Sequence, residues 1–185
     1  MTNHVTLAVQ ADSSMSSFKS LALVVTFLLS RLPLVHASAS AEAPASIADD
    51  RLVFHGGVSG LFDSEKPPAI ALEYRWSASK AGLQPWLGAG WATDGAIFAG
   101  GGLLHTWRVA SRWELVTGFG PVYYDRHEGL DLGSQLEFYS FAEAGWEISP
   151  GRRLLLRFAH ISNASMSEIN PGTELLTLGF SLRLP

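Results

Sequence analysis

From residue 51 onward, segments of about ten residues alternate apolar and polar side chains with period two, and turn residues separate them. In an extended strand, successive side chains point to opposite faces. In the clearest segment, 68–77, Ile70, Leu72, Tyr74 and Trp76 share one face, and Ala71, Glu73, Arg75 and Ser77 the other. Eight such segments lie near 51–60, 68–77, 84–92, 96–107, 112–124, 135–148, 152–161 and 174–184. Over 135–148, Leu136, Phe138, Ala142, Ala144, Trp146 and Ile148 oppose Gln135, Glu137, Glu143 and Glu147. Over 174–184, Leu176, Leu178, Phe180, Leu182 and Leu184 oppose Thr177, Ser181 and Arg183. After residue 50 no stretch approaches the roughly 20 apolar residues of a spanning helix.

Two architectures use alternating strands. A soluble sandwich or lipocalin-like barrel turns the apolar faces inward, whereas a membrane barrel turns them outward around a polar lumen. Charged residues make up only 16% of the chain against 47% hydrophobic, while soluble domains carry about 25% charged residues. The expected fold is therefore all-β, an eight-stranded antiparallel transmembrane barrel. Glu73, Arg75, Glu137, Glu143, Glu147, Arg157 and Arg183 are expected in a lumen that side chains fill, and no open pore is implied. Tyr74, Trp76, Trp86, Tyr139 and Trp146 fit the aromatic girdles of such a barrel in kind. The connections 77–82, 108–111 and 149–151 are short, and 124–134 and 162–173 are long, as expected for periplasmic turns and outer loops.

The amino end reads as an export signal. Lys19 precedes the apolar run Leu21–Leu29, and Ala37-Ser38-Ala39 and Ala39-Ser40-Ala41 are small-x-small cleavage sites. Arg31 and Pro33 interrupt the run, which argues against an anchor. The expected organisation is a signal peptide over 1–41 with Met15 as an alternative start, a short periplasmic tail over 42–50, and the barrel over 51–185. A net charge of −4 offers no basic field for nucleic acid, and the lack of cysteine excludes disulfides and thiolate metal sites.

Chemistry concentrates near the carboxyl end. His160 and Ser162 stand two apart and share a strand face with Leu154, Leu156 and Phe158. Glu174 shares its face with Leu176, Leu178 and Phe180 on the following strand. Adjacent strands lie about 4.8 Å apart, so Glu174 is expected beside His160 on the lipid-facing surface. A serine hydroxyl needs a base to attack an ester, and an imidazole held by a carboxylate is one. Asn163, Asn170 and the backbone near Gly172 are candidate oxyanion or substrate donors. By spacing alone, a rim histidine and a loop serine more often carry no chemistry. His127, Glu128 and Asp131 are candidate cation ligands, although a solvated loop is the plainer reading. His55 and His105 read as lumen or rim residues, and Gly100–Gly102 as a site of barrel bending.

Phe158-x-His160-x-Ser162-Asn163-Ala164, followed by Asn170-Pro171-Gly172-x-Glu174, resembles the signature of PagL-type lipid A 3-O-deacylases. The resemblance implies an outer-membrane barrel with a lipid-facing triad of Ser162, His160 and Glu174. It implies hydrolysis of the 3-O acyl ester of lipid A or lipopolysaccharide in the surrounding leaflet, without metal or other cofactor. Oligomeric state stays open, a homodimer included. The alternatives are a non-enzymatic structural or adhesive barrel and an outer-membrane phospholipase, a class that often uses calcium and dimerises.

Overall fold

The computed structural model describes residues 49–79 and 81–185. The expected signal peptide and most of the tail lie outside the described residues. Eight strands form in chain order: β1 Arg51–Val58, β2 Pro68–Arg75, β3 Leu83–Ala92, β4 Ile97–Ala110, β5 Trp113–Asp125, β6 Leu136–Ser149, β7 Arg152–Ser162 and β8 Thr173–Arg183. Each pairs antiparallel with its chain neighbours, and β1 pairs with β8 to close the barrel. Closure gives every strand two neighbours and leaves no free sheet edge. Connections 93–96, 111–112 and 150–151 are tight turns, and Gly95 and Gly151 adopt positive φ in two of them. The loops 59–67, 126–135 and 163–172 gather at one end.

The alternation sorts as the strand faces require. Ile70, Leu72, Leu87, Leu103, Phe119, Leu156 and Leu178 are exposed on the outer wall. Glu73, Arg75, Glu143 and Arg157 are buried in the lumen. An exposed apolar belt of this extent around buried charge suits a barrel solvated by lipid. The four charges satisfy one another. Arg75 grips Glu143 bidentately at 2.9 Å for both bonds and reaches Glu73 at 2.5 Å. Arg157 donates to Glu73 at 2.8 Å and to Glu143 at 2.7 Å, with its guanidinium 3.8 Å from the Phe141 ring centroid. Two acids and two bases in direct contact leave this cluster uncharged overall, which a buried ionic cluster needs in order to be tolerated.

Two expected faces change, those of Trp86 and Tyr139. Trp86 and Tyr139 are 3% and 4% exposed, inside the lumen rather than in a girdle. Trp86 shares strand parity with inward Gln84, and Tyr139 lies between inward Glu137 and Phe141. Aromatics suit either face, so their type did not decide the matter; parity did. They pack with Phe98 and Phe141 to plug the outer half of the lumen. Gly100 and Gly102 let β4 lie close against β5, because a Cβ at either would strike the β5 backbone. Arg183 pairs with Asp49 at 3.2 Å outside the lumen, and its side chain is about half exposed. Glu147 lies where the β6–β7 register shifts and joins no lumen ion pair among the described residues.

Candidate functional site

The β7–β8 register sets His160 directly opposite Glu174. Neither position lies near a register shift, so the parity of Leu154, Leu156 and Phe158 carries through to His160 and Ser162. All of these side chains face outward. His160 Nδ1 lies 3.1 Å from Glu174 Oε1, and both side chains are largely covered, at 15% and 16% exposure. A carboxylate on Nδ1 fixes the proton there and leaves Nε2 as the basic nitrogen. Ser162 is two residues along the same face, about 7 Å away at Cα, and partly exposed.

The loop 163–172 closes over this pair. Gly172 has φ of 69°, and a Cβ there would lie 2.6 Å from His160 Cε1 and 3.2 Å from Nε2. The loop backbone therefore runs against the imidazole edge, and only glycine fits. Ala164 and Ser165 also adopt left-handed φ, 54° and 64°, which costs energy in a non-glycine residue. Asn170 Oδ1 accepts the Asn163 backbone N–H at 3.1 Å, and its Nδ2 makes only a long contact of 3.4 Å to Ser165 Oγ. Asn170 Nδ2 thus keeps an N–H that neither contact engages.

Asn163 departs from the oxyanion expectation. It is fully buried and faces inward. Its Nδ2 donates to Leu132 O at 2.7 Å, Ser167 Oγ at 2.7 Å and Ile169 O at 2.8 Å. One residue beyond Ser162, strand parity sends the side chain to the other face, where it ties two loops together.

Sequence reasoning missed the loop 59–67. Barrel closure brings it against β8: Leu61 N–H donates to Glu174 O at 3.1 Å, and Thr173 Oγ1 donates to Asp63 Oδ2 at 3.4 Å. Phe62 is 66% exposed, with its ring 6.4 Å from that of Phe158. Partial burial, then the nearby Glu174 charge, raise the Asp63 carboxyl above its ordinary range. The signal available was the apolar pair Leu61-Phe62 in a loop of mainly polar residues.

A cavity of about 240 Å³ opens inside the long-loop mouth, lined by Asp63, Asp94, Phe98, Tyr124, Glu128 and Thr173 among others. None of His160, Ser162 and Glu174 lines it. Their side chains face the surrounding phase, not the lumen. Asp131 pairs with Arg126 at 3.2 Å, and no group of three or more acidic or histidine side chains is arranged for a metal ion among the described residues. His55 is buried in the lumen, 3.7 Å from Glu143, and His105 packs on Trp107.

The chain is similar to lipid A deacylases. The family described as lipid A 3-O-deacylase (PagL) matches residues 62–183. A lipid A deacylase PagL from Bordetella bronchiseptica is 25% identical over 163 residues, spanning 78% of this chain and 89% of that protein. Among solved structures, the outer membrane enzyme PagL superposes with a TM-score of 0.57 at 19% identity, covering 72% of this chain and 99% of that one. Neisserial surface protein A superposes with a TM-score of 0.51 at 10% identity, covering 73% of this chain and 96% of that one.

Proposed function

The chain belongs to the PagL family of lipid A 3-O-deacylases, and we propose that it is an integral outer-membrane esterase that uses Ser162, His160 and Glu174 to remove the 3-O acyl chain of lipid A. The observation that carries the reading is the His160–Glu174 pair, 3.1 Å apart on the lipid-facing wall, with Ser162 on the same face.

In this mechanism lipid A slides laterally to β7 and β8, where its acyl chains lie along Leu154, Leu156, Phe158 and Leu178. Ser162 Oγ attacks the ester carbonyl carbon while His160 Nε2 takes the hydroxyl proton. Glu174 holds the Nδ1–H tautomer and stabilises the imidazolium that forms. Asn170 Nδ2 and backbone N–H groups near Gly172 are the donors best placed for the oxyanion. Collapse of the tetrahedral intermediate breaks the bond to the sugar oxygen, which leaves with the proton from His160. Water then attacks the acyl-enzyme with His160 again as base, releasing the 3-hydroxy fatty acid and restoring Ser162.

Mass spectrometry of lipid A from Gram-negative cells making the parent or Ser162→Ala tests this. Loss of one 3-hydroxyacyl mass is expected with the parent alone. Loss of the same mass with the folded variant would remove Ser162 from the mechanism. Released glycerophospholipid fatty acids with intact lipid A would replace the substrate by phospholipid.

A further inference from the structure

Beneath the loop that covers the site lie two buried acceptors without hydrogen-bond partners. Glu137 is fully buried, and neither carboxyl oxygen has a hydrogen-bond partner. The Ser134 backbone N–H lies near it. Asn163 is fully buried as well, and its Oδ1 has no donor. Its three Nδ2 bonds, all to oxygen, fix which end of the amide is nitrogen. The β6–β7 ladder pairs Phe138 with Ser162. One further step in that register sets Glu137 opposite Asn163, and both face inward. Side chains so placed have Cβ atoms about 5 Å apart.

An amide oxygen accepts hydrogen bonds only, and so does an ionised carboxylate. Two such acceptors together, out of water, repel. One proton on the acid satisfies both groups. No arginine or lysine relieves Glu137 by ion pairing among the described residues. Arg75 and Arg157 are committed to Glu73 and Glu143, and Arg126 to Asp131. The other titratable groups around Glu137 are Asp131 of the 126–135 loop, Tyr124 of β5 and Tyr139 of β6. Asp131 adds negative charge, and the Tyr124 hydroxyl is directed to Leu130 O. β7 contributes Ile161 and the loop that follows it Asn163, neither of which is charged.

We infer that Glu137 is a neutral acid donating its proton to Asn163 Oδ1, and that this bond positions the 163–172 loop for catalysis. The inference rests on the esterase reading above. Asn163 hands the constraint on in two directions. Its Nδ2 holds Leu132, Ser167 and Ile169, and its backbone N–H fixes Asn170. Ser162 is its neighbour in the chain. Loss of the Glu137 proton to water at alkaline pH puts charge against Asn163 Oδ1 and loosens that framework. Glu137 is a positioning residue and touches no substrate.

The test compares the folded full chain with Glu137→Gln and Glu137→Leu in phospholipid vesicles. The parent is expected to show the infrared carbonyl band of a protonated acid at neutral pH, absent from Glu137→Gln. Glu137→Gln supplies a permanent amide donor and is expected to keep the parental kcat on lipid A while losing its alkaline decline. Glu137→Leu is expected to lose roughly tenfold in kcat with little change in KM, and its 163–172 amides to exchange faster with deuterium. Absence of the acid band, equal impairment of both variants, or a parent-like Glu137→Leu would each overturn the inference. Should the parent prove inert on lipid A, the esterase reading fails, while the infrared and exchange comparisons still decide the state of Glu137.

Discussion

Glu174 Oε1 and His160 Nδ1 meet at 3.1 Å because they are register partners on adjacent antiparallel strands, 14 residues apart in the chain. The pair needs no long-range fold to bring it together, only the hairpin from β7 to β8. If Glu174 acts through charge and tautomer, Glu174→Gln keeps the shape and loses both effects. The expected loss in kcat is on the order of 10²- to 10⁴-fold with KM little changed, measured as fatty acid release from lipid A in mixed micelles. Parental kcat in this variant would reduce Glu174 to a structural partner.

Phe62 extends the apolar wall beyond Phe158 from a different loop. Phe62→Ala is expected to lower kcat/KM about tenfold for long acyl esters and less for short ones, since one apolar contact contributes about 1–3 kcal/mol. Rates on a chain-length series check this. A uniform drop across the series would assign Phe62 to loop packing.

The Asp63 carboxyl is raised by burial first and by Glu174 second. A carboxyl with a raised folded-state pKa favours the docked loop when protonated. That stability is fully present below the ordinary carboxylate value and is lost as pH rises through the folded-state value. Asp63→Asn keeps an acceptor for Thr173 and removes the titration. The 59–67 loop of this variant is expected to resist proteolysis at neutral pH better than the parent's, with the difference vanishing in acid. A variant cut faster at neutral pH would contradict the sign.

In the lumen, Glu143 accepts from both Arg75 and Arg157. Glu143→Leu leaves Arg75 and Arg157 to share the single carboxylate of Glu73 and is expected to cost about 3–5 kcal/mol in urea unfolding from vesicles. Arg126→Ala breaks the half-exposed Arg126–Asp131 pair and is expected to cost less than about 1 kcal/mol. Equal effects of the two substitutions would deny the lumen cluster its weight.

Period two made much of this readable in advance. It assigned Glu73, Arg75, Glu143 and Arg157 inward and His160, Ser162 and Glu174 outward, as the faces lie. Trp86 and Tyr139 were misplaced because indole and phenol rings suit a lipid headgroup region and a packed lumen alike. Asn163 looked like a donor for the site because it adjoins Ser162, yet adjacency in a strand means opposite faces. The contribution of Leu61, Phe62 and Asp63 was not legible. It depends on β1 closing against β8, which joins the two ends of the barrel and leaves no local pattern.

The outward face of the His160–Glu174 pair has a kinetic consequence. A site on a barrel wall samples neighbours in a two-dimensional fluid, so its saturation follows the mole fraction of substrate among lipids, not its molarity in the vessel. Diluting the membrane with inert lipid slows such an enzyme, whereas diluting the buffer does not. On the esterase reading, any lipid that occupies β7 and β8 without an ester at the height of Ser162 is expected to act as a competitor, which would make the composition of the leaflet a regulator of rate.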